Sequence, residues 1–225
     1  MEDKYSIKNH VYKTLKEAIL SRKLPPGKQI VENTISTKLK VSRTPVRNAI
    51  NQLAVEGLVE IRPNKGAFVI NPTLEEILQA YSLRKELELM AIDVSINHLS
   101  DSDMDELERI VKEEKEALFK KHIANYLNAN EKFHLAIVKQ CKNKFLIEFI
   151  EKLISQTSIY LMLFDVFFED SSSQPYGHKE HLEIIQLMKQ KKHKEVKICL
   201  AKHFDNAISS LDVQSDYSDL EGIFD

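Results

Sequence analysis

The stretch from Val41 to Ile50, VSRTPVRNAI, constrains the fold of this chain more than any other. Thr44 is a residue type that caps helices, and Pro45 after it suits the first helical position, where no backbone N–H is needed. Apolar residues then recur at helical spacing. Arg43 and Arg47 place two cations at the N-terminal end of this helix, where they oppose the helix dipole. The stretch therefore predicts a helix that meets an anion, and the major groove of DNA admits such a helix.

The residues around this stretch predict a winged helix-turn-helix. Apolar periodicity predicts a first helix over 7–19 and a second over 30–39, followed by a short turn into the helix just described. Two β-rich runs, at 57–61 and 67–70, flank the sequence Pro-Asn-Lys-Gly, which is typical of a β-hairpin. The basic tip of that hairpin would form the wing.

The remainder of the chain has helical patterns and no strand pattern. Six helices are predicted, at 74–98, 102–120, 122–141, 144–168, 177–191 and 194–211. The sequence thus predicts a mainly α protein with two domains, a winged helix at 1–72 and a helical bundle at 73–211. A serine-rich loop is expected at 169–175, and an acidic, disordered tail at 212–225.

Charge is divided unevenly between the two predicted domains. Residues 1–72 hold 13 Lys and Arg against 6 Asp and Glu, whereas the remainder is acidic. A basic first domain indicates that this half contacts a polyanion. The sequence contains no signal-peptide pattern, no apolar run that approaches the roughly 20 residues of a membrane span, and no Cys-x-x-Cys spacing. We therefore expect a cytoplasmic protein that has no membrane partner.

Polar side chains interrupt the apolar stripes of three predicted helices. Asn130 and His134 stand one turn apart and face the same way. His181 and His203 are equally far from the turn between the last two helices, so an antiparallel hairpin would bring them side by side. Three imidazoles and an amide oxygen form a common donor set for zinc or another first-row ion such as nickel or manganese. Two alternatives stay open: His178 as a ligand, and histidines that are purely structural.

The first 70 residues resemble the DNA-binding half of the GntR family of bacterial transcription regulators. The resemblance rests on the run Ser-Arg-Thr-Pro-Val-Arg, on the Leu-x-x-Glu-Gly-Leu-Val that follows it, and on the Pro-Asn-Lys-Gly-Ala of the wing. The helical remainder looks like the FadR C-terminal ligand-binding domain. In that domain a carboxylate or amide and three histidines commonly bind a metal, which implies the same role for the four residues above.

The resemblance also implies a set of DNA contacts. Arginines of the recognition helix would contact bases or the groove edge, hydroxyls beside them would hold phosphates, and the wing would contact the backbone or the minor groove. The residues concerned are Ser42, Arg43, Thr44, Arg47, Arg62, Lys65 and Gly66. Two positions depart from the family pattern: Asn33 stands where an arginine is frequent, and Lys40 replaces the usual glycine of the turn.

Arg84 and Tyr81 are the candidate effector-binding residues. Glu88 lies one turn after Arg84, so one interpretation is an intrahelical ion pair, worth little at a surface. In the resembling domain an arginine here faces the ligand cavity and can meet a carboxylate, and Tyr81 could line the same cavity. The alternative for Tyr81 is plain core packing.

These features predict a homodimeric, DNA-binding transcription regulator rather than an enzyme. A small carboxylate metabolite, bound at a metal ion in the helical domain, would change its affinity for double-stranded operator DNA. One alternative is a metal-dependent hydrolase with a DNA-targeting module, although no general base lies on the ligand stripe. The other is a DNA-binding protein that needs no ligand.

Overall fold

The computed structural model of the chain describes residues 2–164 and 177–211. Its helices are α1 (Glu2–Leu20), α2 (Glu32–Lys38), α3 (Arg43–Val55), α4 (Leu74–Ser95), α5 (Asp101–Phe119), α6 (Ile123–Lys139), α7 (Lys144–Phe164), α8 (Gly177–Lys189) and α9 (His193–Ser209). Its strands are β1 (Gln29–Ile30), β2 (Val59–Arg62) and β3 (Gly66–Val69). The predicted fold class, a mainly α chain with a small β wing, is confirmed. The predicted loop at 169–175 and tail at 212–225 lie outside the described residues.

Contacts between the described residues divide the chain into two compact units, with the boundary between Pro72 and Thr73. The first unit contains α1 to α3 and an antiparallel sheet in the order β1-β3-β2. The pairing of Arg62 with Gly66 closes the wing. Gly66 has a φ of +97°, and a Cβ there would lie 3.3 Å from Nε2 of Gln29. The end of the wing therefore requires glycine for both its backbone angle and its close approach to β1.

Two local predictions for the first unit are wrong. The second helix begins at Glu32 rather than at residue 30, because Gln29 and Ile30 form β1 and pair with β3. The N-cap of α3 is Ser42, in an extended conformation, rather than Thr44. A proline is tolerated throughout the first helical turn, where backbone N–H groups have no partner within the helix. Pro45 therefore indicates that a helix starts nearby and does not fix the residue at which it starts.

Helix α3 is fixed by contacts of its apolar face and of its C-terminal end. Its apolar face contributes Val46, Ile50 and Leu53 to a core that includes residues of α1 and the sheet. At its end, Glu56 accepts hydrogen bonds from the Tyr12 hydroxyl, at 2.7 Å, and from the Lys16 ammonium, at 2.9 Å. This arrangement fixes α3 against α1 and leaves its N-terminal end at the surface.

The second unit is a bundle of α4 to α9. Its first two helices begin with capping boxes, in which Thr73 pairs reciprocally with Glu76 and Ser100 with Asp103. The packing pairs α5 with α6, α8 with α9 and α4 with α7, and α4 also contacts α6 and α9. Among the described residues no helix is both long enough and apolar enough to cross a membrane.

Basic residues take the place of glycine after several helices. Five of them have a positive φ just beyond a helix, and each supplies a cation where the C-terminal dipole is negative. These residues are Arg22, Lys40, Lys121, Lys142 and Lys191. Lys40, which replaces the usual glycine of the turn, has a φ of +52°. The following Val41 N–H still reaches the Ser36 carbonyl, at 3.0 Å, so the usual helix-ending hydrogen bond forms without glycine.

Candidate functional sites

Three histidines from three helices meet inside the second unit. His134 of α6, His181 of α8 and His203 of α9 are all buried, and one ring nitrogen from each lies within 4.8 Å of the others. The Nε2 atoms of His181 and His203 are 3.4 Å apart. Two nitrogens bound to one tetrahedral zinc at about 2.05 Å would be about 3.3 Å apart. The spacing therefore fits two ligands of a single ion.

Each of the three imidazoles contacts a carboxylate through Nδ1. The Nδ1 to carboxylate oxygen distances are 2.6 Å from His134 to Glu88, 2.8 Å from His181 to Glu114 and 2.8 Å from His203 to Glu180. An ionised carboxylate can only accept hydrogen bonds. It therefore keeps the imidazole hydrogen on Nδ1 and leaves the Nε2 lone pair free. Metal-binding histidines are commonly oriented in this way. Glu88, Glu180 and, when it is ionised, Glu114 are thus placed to present three Nε2 lone pairs to one point.

The pKa shifts of two histidines in this cluster favour the neutral form of their imidazoles. Burial lowers the pKa of His134 to about 3 and holds the pKa of His181 well below its ordinary value. Burial opposes ionisation of Glu88, but the charges of His134 and Arg84 outweigh it and lower its pKa to about 2. At neutral pH His134 is therefore uncharged, and Arg84 supplies the lasting positive charge beside Glu88.

Glu114 behaves differently from the other two carboxylates. It is fully buried, and burial raises its pKa to about 8. Its Oε1 has no hydrogen-bond partner among the described residues. A divalent cation held by His181 would favour the ionised form of this carboxylate, which would then accept from His181 Nδ1. The donor set and its carboxylates therefore fit a bound divalent metal.

A cavity adjoins the cluster and is lined by other residues that the sequence predicted as ligands. It has a free volume of about 50 Å³. One water molecule needs roughly 10–15 Å³ of such free volume, so the cavity has space for only a few heavy atoms. Its lining includes Asn130, His134 and His203 together with Tyr81 and Arg84. The structure thus places every predicted metal ligand and effector residue at this cavity or, for His181, in the imidazole cluster beside it.

Arg84 is buried at this cavity, with 2% of its surface exposed. Its Nε donates to Glu88 at 2.7 Å and its Nη1 donates to the Thr157 hydroxyl at 2.6 Å. Its guanidinium carbon lies 5.1 Å from the centre of the Phe204 ring. Its Nη2 has no hydrogen-bond partner among the described residues. The predicted ion pair with Glu88 exists, but it is buried, and one donor of this cavity-lining residue has no partner among the described residues.

Tyr81 and His178 have less direct relations to the cluster. Tyr81 is buried, and its hydroxyl donates to the Thr157 carbonyl at 3.3 Å, so it both packs in the core and lines the cavity. His178 is also buried, but it is not one of the three clustered histidines. Its Nδ1 has no hydrogen-bond partner among the described residues, and burial lowers its pKa.

The candidate DNA-binding residues form two exposed groups in the first unit. Ser42, Arg43, Thr44 and Arg47 lie around the start of α3, and all four are exposed. Arg47 donates to Glu32 of α2 through Nε at 3.0 Å and Nη2 at 2.9 Å. The start of the recognition helix thus presents hydroxyls and guanidinium groups together, with one guanidinium held by a carboxylate.

The wing carries the second group. Arg62, Lys65 and Gly66 are exposed at its end. Arg62 pairs with Glu60 on the same strand, and its guanidinium carbon lies 4.4 Å from the centre of the Phe68 ring. The Lys65 carbonyl accepts from the Gln29 side chain at 2.8 Å, which ties the tip to β1. The wing therefore has a fixed backbone and two cations at its surface.

Comparison with known proteins identifies both units. The family described as "Bacterial regulatory proteins, gntR family" matches residues 7–69, and the FCD domain matches residues 79–206. The chain belongs to the GntR family. The FCD domain is the FadR-like C-terminal domain, so the predicted resemblance is confirmed for both halves. This GntR protein is a DNA-binding transcriptional regulator rather than an enzyme.

Named relatives and solved structures agree with this assignment. The Nta operon transcriptional regulator of Aminobacter aminovorans is 28% identical over 187 residues, which cover 81% of this chain and 86% of the relative. The HTH-type transcriptional repressor RspR of Escherichia coli is 22% identical over 206 residues, 91% and 89% of the two chains. The structure of E. coli McbR/YncC matches the fold with a TM-score of 0.65 at 23% identity, covering 90% of this chain and 95% of that one.

Sequence reasoning named Glu88 only as a partner of Arg84 and missed the two other carboxylates that contact the imidazoles, Glu114 and Glu180. Glu114 carried a usable signal, because it lies on the apolar stripe of α5 between Ile110 and Ala117. Glu180 precedes His181 in sequence yet contacts His203, a partner on the next helix that no spacing within α8 could indicate. Glu32 was missed for the same reason, since its partner Arg47 lies 15 residues away on α3.

Proposed function

We propose that this GntR regulator binds a small carboxylate metabolite at a divalent metal ion in its second unit, and that binding changes its affinity for operator DNA. The observation that carries the proposal is the convergence of three imidazoles beside a buried arginine with a spare donor. The cluster and Arg84 border one cavity, so a single ligand could contact both.

The proposed metal ligands are the three histidines and Asn130. Asn130 is buried one helical turn before His134 and lines the cavity, which supports its role as the oxygen donor. Because an amide oxygen is neutral, the coordination shell keeps the full charge of the ion and attracts an anion strongly. Zinc is the first choice for such a shell, and nickel and manganese are alternatives.

The proposed effector is a carboxylate of a few heavy atoms. Arg84 is already oriented by Glu88 and Thr157, and guanidinium groups suit carboxylates because they offer planar, paired donors. The remaining Nη2 donor and the ion would hold the two ends of a short anion. Tyr81 would limit its size from the wall of the cavity.

For the first unit, the proposal assigns DNA contacts to the two exposed groups. Arg43 and Arg47 would contact base edges, Ser42 and Thr44 would hold phosphates, and the residues of the wing would contact the backbone or the minor groove. The residues of that wing group are Arg62, Lys65 and Gly66. Two copies of the chain would bind the two halves of a palindromic operator in the cytoplasm, where bacterial DNA lies.

An exposed apolar face on the second unit supports a homodimer. Leu83, Met90 and Val94 of α4 are 52%, 58% and 43% exposed, and Phe145 and Phe149 of α7 are 70% and 61% exposed. The two helices pack against each other, and Ala91 of α4 shares a core cluster with Leu146 and Ile150 of α7. Exposed apolar residues on two helices that pack together are typical of a subunit interface.

A thermal-shift screen tests the proposal. Protein freed of metal by a chelator is heated with zinc, with small carboxylic acids, and with both together. We expect zinc to raise the melting temperature, and at least one acid to raise it further only when zinc is present, because ligands stabilise the state they bind. His134→Ala should abolish both shifts, whereas His98→Ala, an exposed histidine, should abolish neither.

Operator binding completes the test. The acid that shifts the melting temperature should change the dissociation constant for a DNA duplex selected from a random pool, since a ligand acts only by preferring one state. A chain that binds this duplex equally with and without zinc and acid would be a ligand-independent DNA-binding protein, and the effector proposal would be wrong.

A further inference from the structure

The most informative contact in the first unit is the ion pair between Arg47 of α3 and Glu32 of α2. Both hydrogen bonds are well formed, at 3.0 Å from Nε and 2.9 Å from Nη2. The Arg47 side chain nevertheless remains 64% exposed. The hydrogen bonds from Arg47 come first among the causes that lower the pKa of Glu32, so this carboxylate is ionised at neutral pH. The pair thus orients a side chain that still faces outward.

The geometry of the pair leaves one edge of the guanidinium open. A guanidinium can donate in parallel through its Nε and Nη2 edge or through its Nη1 and Nη2 edge. Glu32 occupies the first of these edges. Guanine offers two acceptors, O6 and N7, side by side in the major groove, and a paired donor edge matches them. The Nη1 and Nη2 edge of Arg47 is therefore the one available for a base.

We propose that Glu32 is a specificity-determining residue, which holds Arg47 so that its outer edge reads a guanine of the operator. This inference rests on the proposed role of Arg47 in base contact. An unrestrained arginine can turn toward the nearest phosphate, which gives affinity without sequence preference. Glu32 opposes that movement, and its negative charge also repels the phosphates of any DNA. It lowers affinity for all sequences and raises the discrimination between them.

A structural role for Glu32 makes a different prediction. The pair links α2 to α3, and Glu32 lies in the first turn of α2, where a negative charge stabilises the helix. If Glu32 only stabilised the fold, its loss would lower the melting temperature and weaken binding to selected and random DNA alike. If it positions Arg47, its loss changes the ratio between the two affinities.

The experiment compares the full-length chain with its Glu32→Gln and Glu32→Ala variants. Each protein selects duplexes from a randomised DNA pool, and binding constants are then measured for the selected duplex, for versions with each guanine replaced, and for random DNA over a range of salt. Glu17→Gln is the matched control, because Glu17 is an exposed carboxylate on α1 and its loss changes the net charge equally. Melting temperatures show that every variant is folded.

We expect the unmodified chain to lose about tenfold in affinity or more when one particular guanine is replaced. In both Glu32 variants that loss should fall below about threefold. Affinity for random DNA should rise, and the slope of this affinity against salt should increase by the equivalent of about one phosphate contact. Glu17→Gln should keep the guanine preference. An unchanged guanine preference in both Glu32 variants would overturn the inference, as would equal weakening on all DNA.

Arg47→Ala separates this inference from the proposed function. If Arg47→Ala removes the guanine preference and the Glu32 variants do not, Arg47 reads the base and only the role of Glu32 is wrong. If Arg47→Ala leaves the selected sequence unchanged, the assignment of Arg47 to base contact is itself wrong.

Discussion

Among single residues, Arg84 shows how a buried charge depends on its partner. Its charge lies in the interior beside Glu88, with 2% and 3% of the two side chains exposed. Such a pair contributes little net stability compared with apolar residues, but removing one partner leaves a buried charge without compensation. The sequence placed Arg84 and Glu88 one turn apart. It left two alternatives, a surface pair and an arginine that faces a cavity, because burial depends on Thr157 of α7 and Phe204 of α9.

Replacing Arg84 should therefore destabilise the second unit strongly. We expect Arg84→Met to lower the free energy of unfolding by about 3–5 kcal/mol, because Glu88 is left ionised in the core. The double variant Arg84→Met, Glu88→Gln should recover part of the loss. The free energy of unfolding of the unmodified chain, the single variant and the double variant is measured by urea unfolding of metal-free protein, followed by circular dichroism.

Arg109 of α5 provides the control for this prediction. It pairs with Glu106 and Glu113 on the same helix, but its side chain is 55% exposed. Pairs at the surface contribute about 1 kcal/mol or less. Arg109→Met should therefore change the free energy of unfolding by no more than about 1 kcal/mol. Equal losses for Arg84→Met and Arg109→Met would contradict the assignment of a buried charge.

The inward direction of the histidines was predictable, and their pairing with particular carboxylates was not. His134, His181 and His203 each interrupt an apolar stripe, so helical periodicity alone indicates that they face inward. The symmetric distance from the turn between α8 and α9 then predicts that the last two are neighbours, as the structure shows. Glu114 and Glu180 bind histidines on other helices, and such pairs depend on packing that a periodic pattern does not encode.

At the level of helices and strands, the long periodic segments were predicted well and the short, non-local ones were not. The helices of the second unit begin and end within a few residues of their predicted limits, except that the predicted end of α7 at residue 168 lies outside the described residues. In contrast, β1 has two residues, and Ile30 pairs with Ala67 far along the chain. Local propensity cannot reveal a strand that exists only through its partner. Prediction therefore assigned Ile30 to the helix that follows it.

The turn between α8 and α9 offers a test of helix ending. Lys191 has a φ of +54°, a conformation that costs a residue with a side chain about 1–2 kcal/mol. Glycine avoids this cost but loses about 0.5–1 kcal/mol through greater freedom in the unfolded chain. We expect Lys191→Gly to raise the free energy of unfolding by about 0.5 kcal/mol, measured in urea. Lys191→Val should lower it, because a β-branched residue fits this conformation worst. A more stable valine variant would contradict the backbone argument.

For the whole molecule, the proposed dimer would link the second unit to DNA binding through the exposed apolar face of α4 and α7. Two recognition helices must lie about 34–36 Å apart to contact successive major grooves on one side of the duplex. A dimer formed through the second unit can set that spacing, and a ligand that favours one dimer arrangement would alter it. In the proposed function the effector site and the DNA-binding residues belong to different units, and a dimer of this kind would couple them.

Disrupting the face should break the dimer and weaken operator binding together. Met90→Asp and Phe149→Asp each place a charge on both sides of a two-fold interface, so every substitution acts twice. Loss of a well-packed apolar anchor at an interface costs about 2 kcal/mol or more, so we expect the dimer dissociation constant to rise by about 30-fold or more. Light scattering after gel filtration measures the mass, and anisotropy measures operator affinity in the same samples.

Phe119→Asp is the matched control, because Phe119 is 91% exposed at the end of α5 and lies on neither α4 nor α7. Its substitution adds the same charge and should leave mass and operator affinity unchanged. For Met90→Asp and Phe149→Asp, affinity for a single half-site should be preserved, since the first unit keeps its contacts and loses only the linked second copy. A variant that remains a dimer, or one that loses half-site binding as well, would show that this face does not join the two subunits.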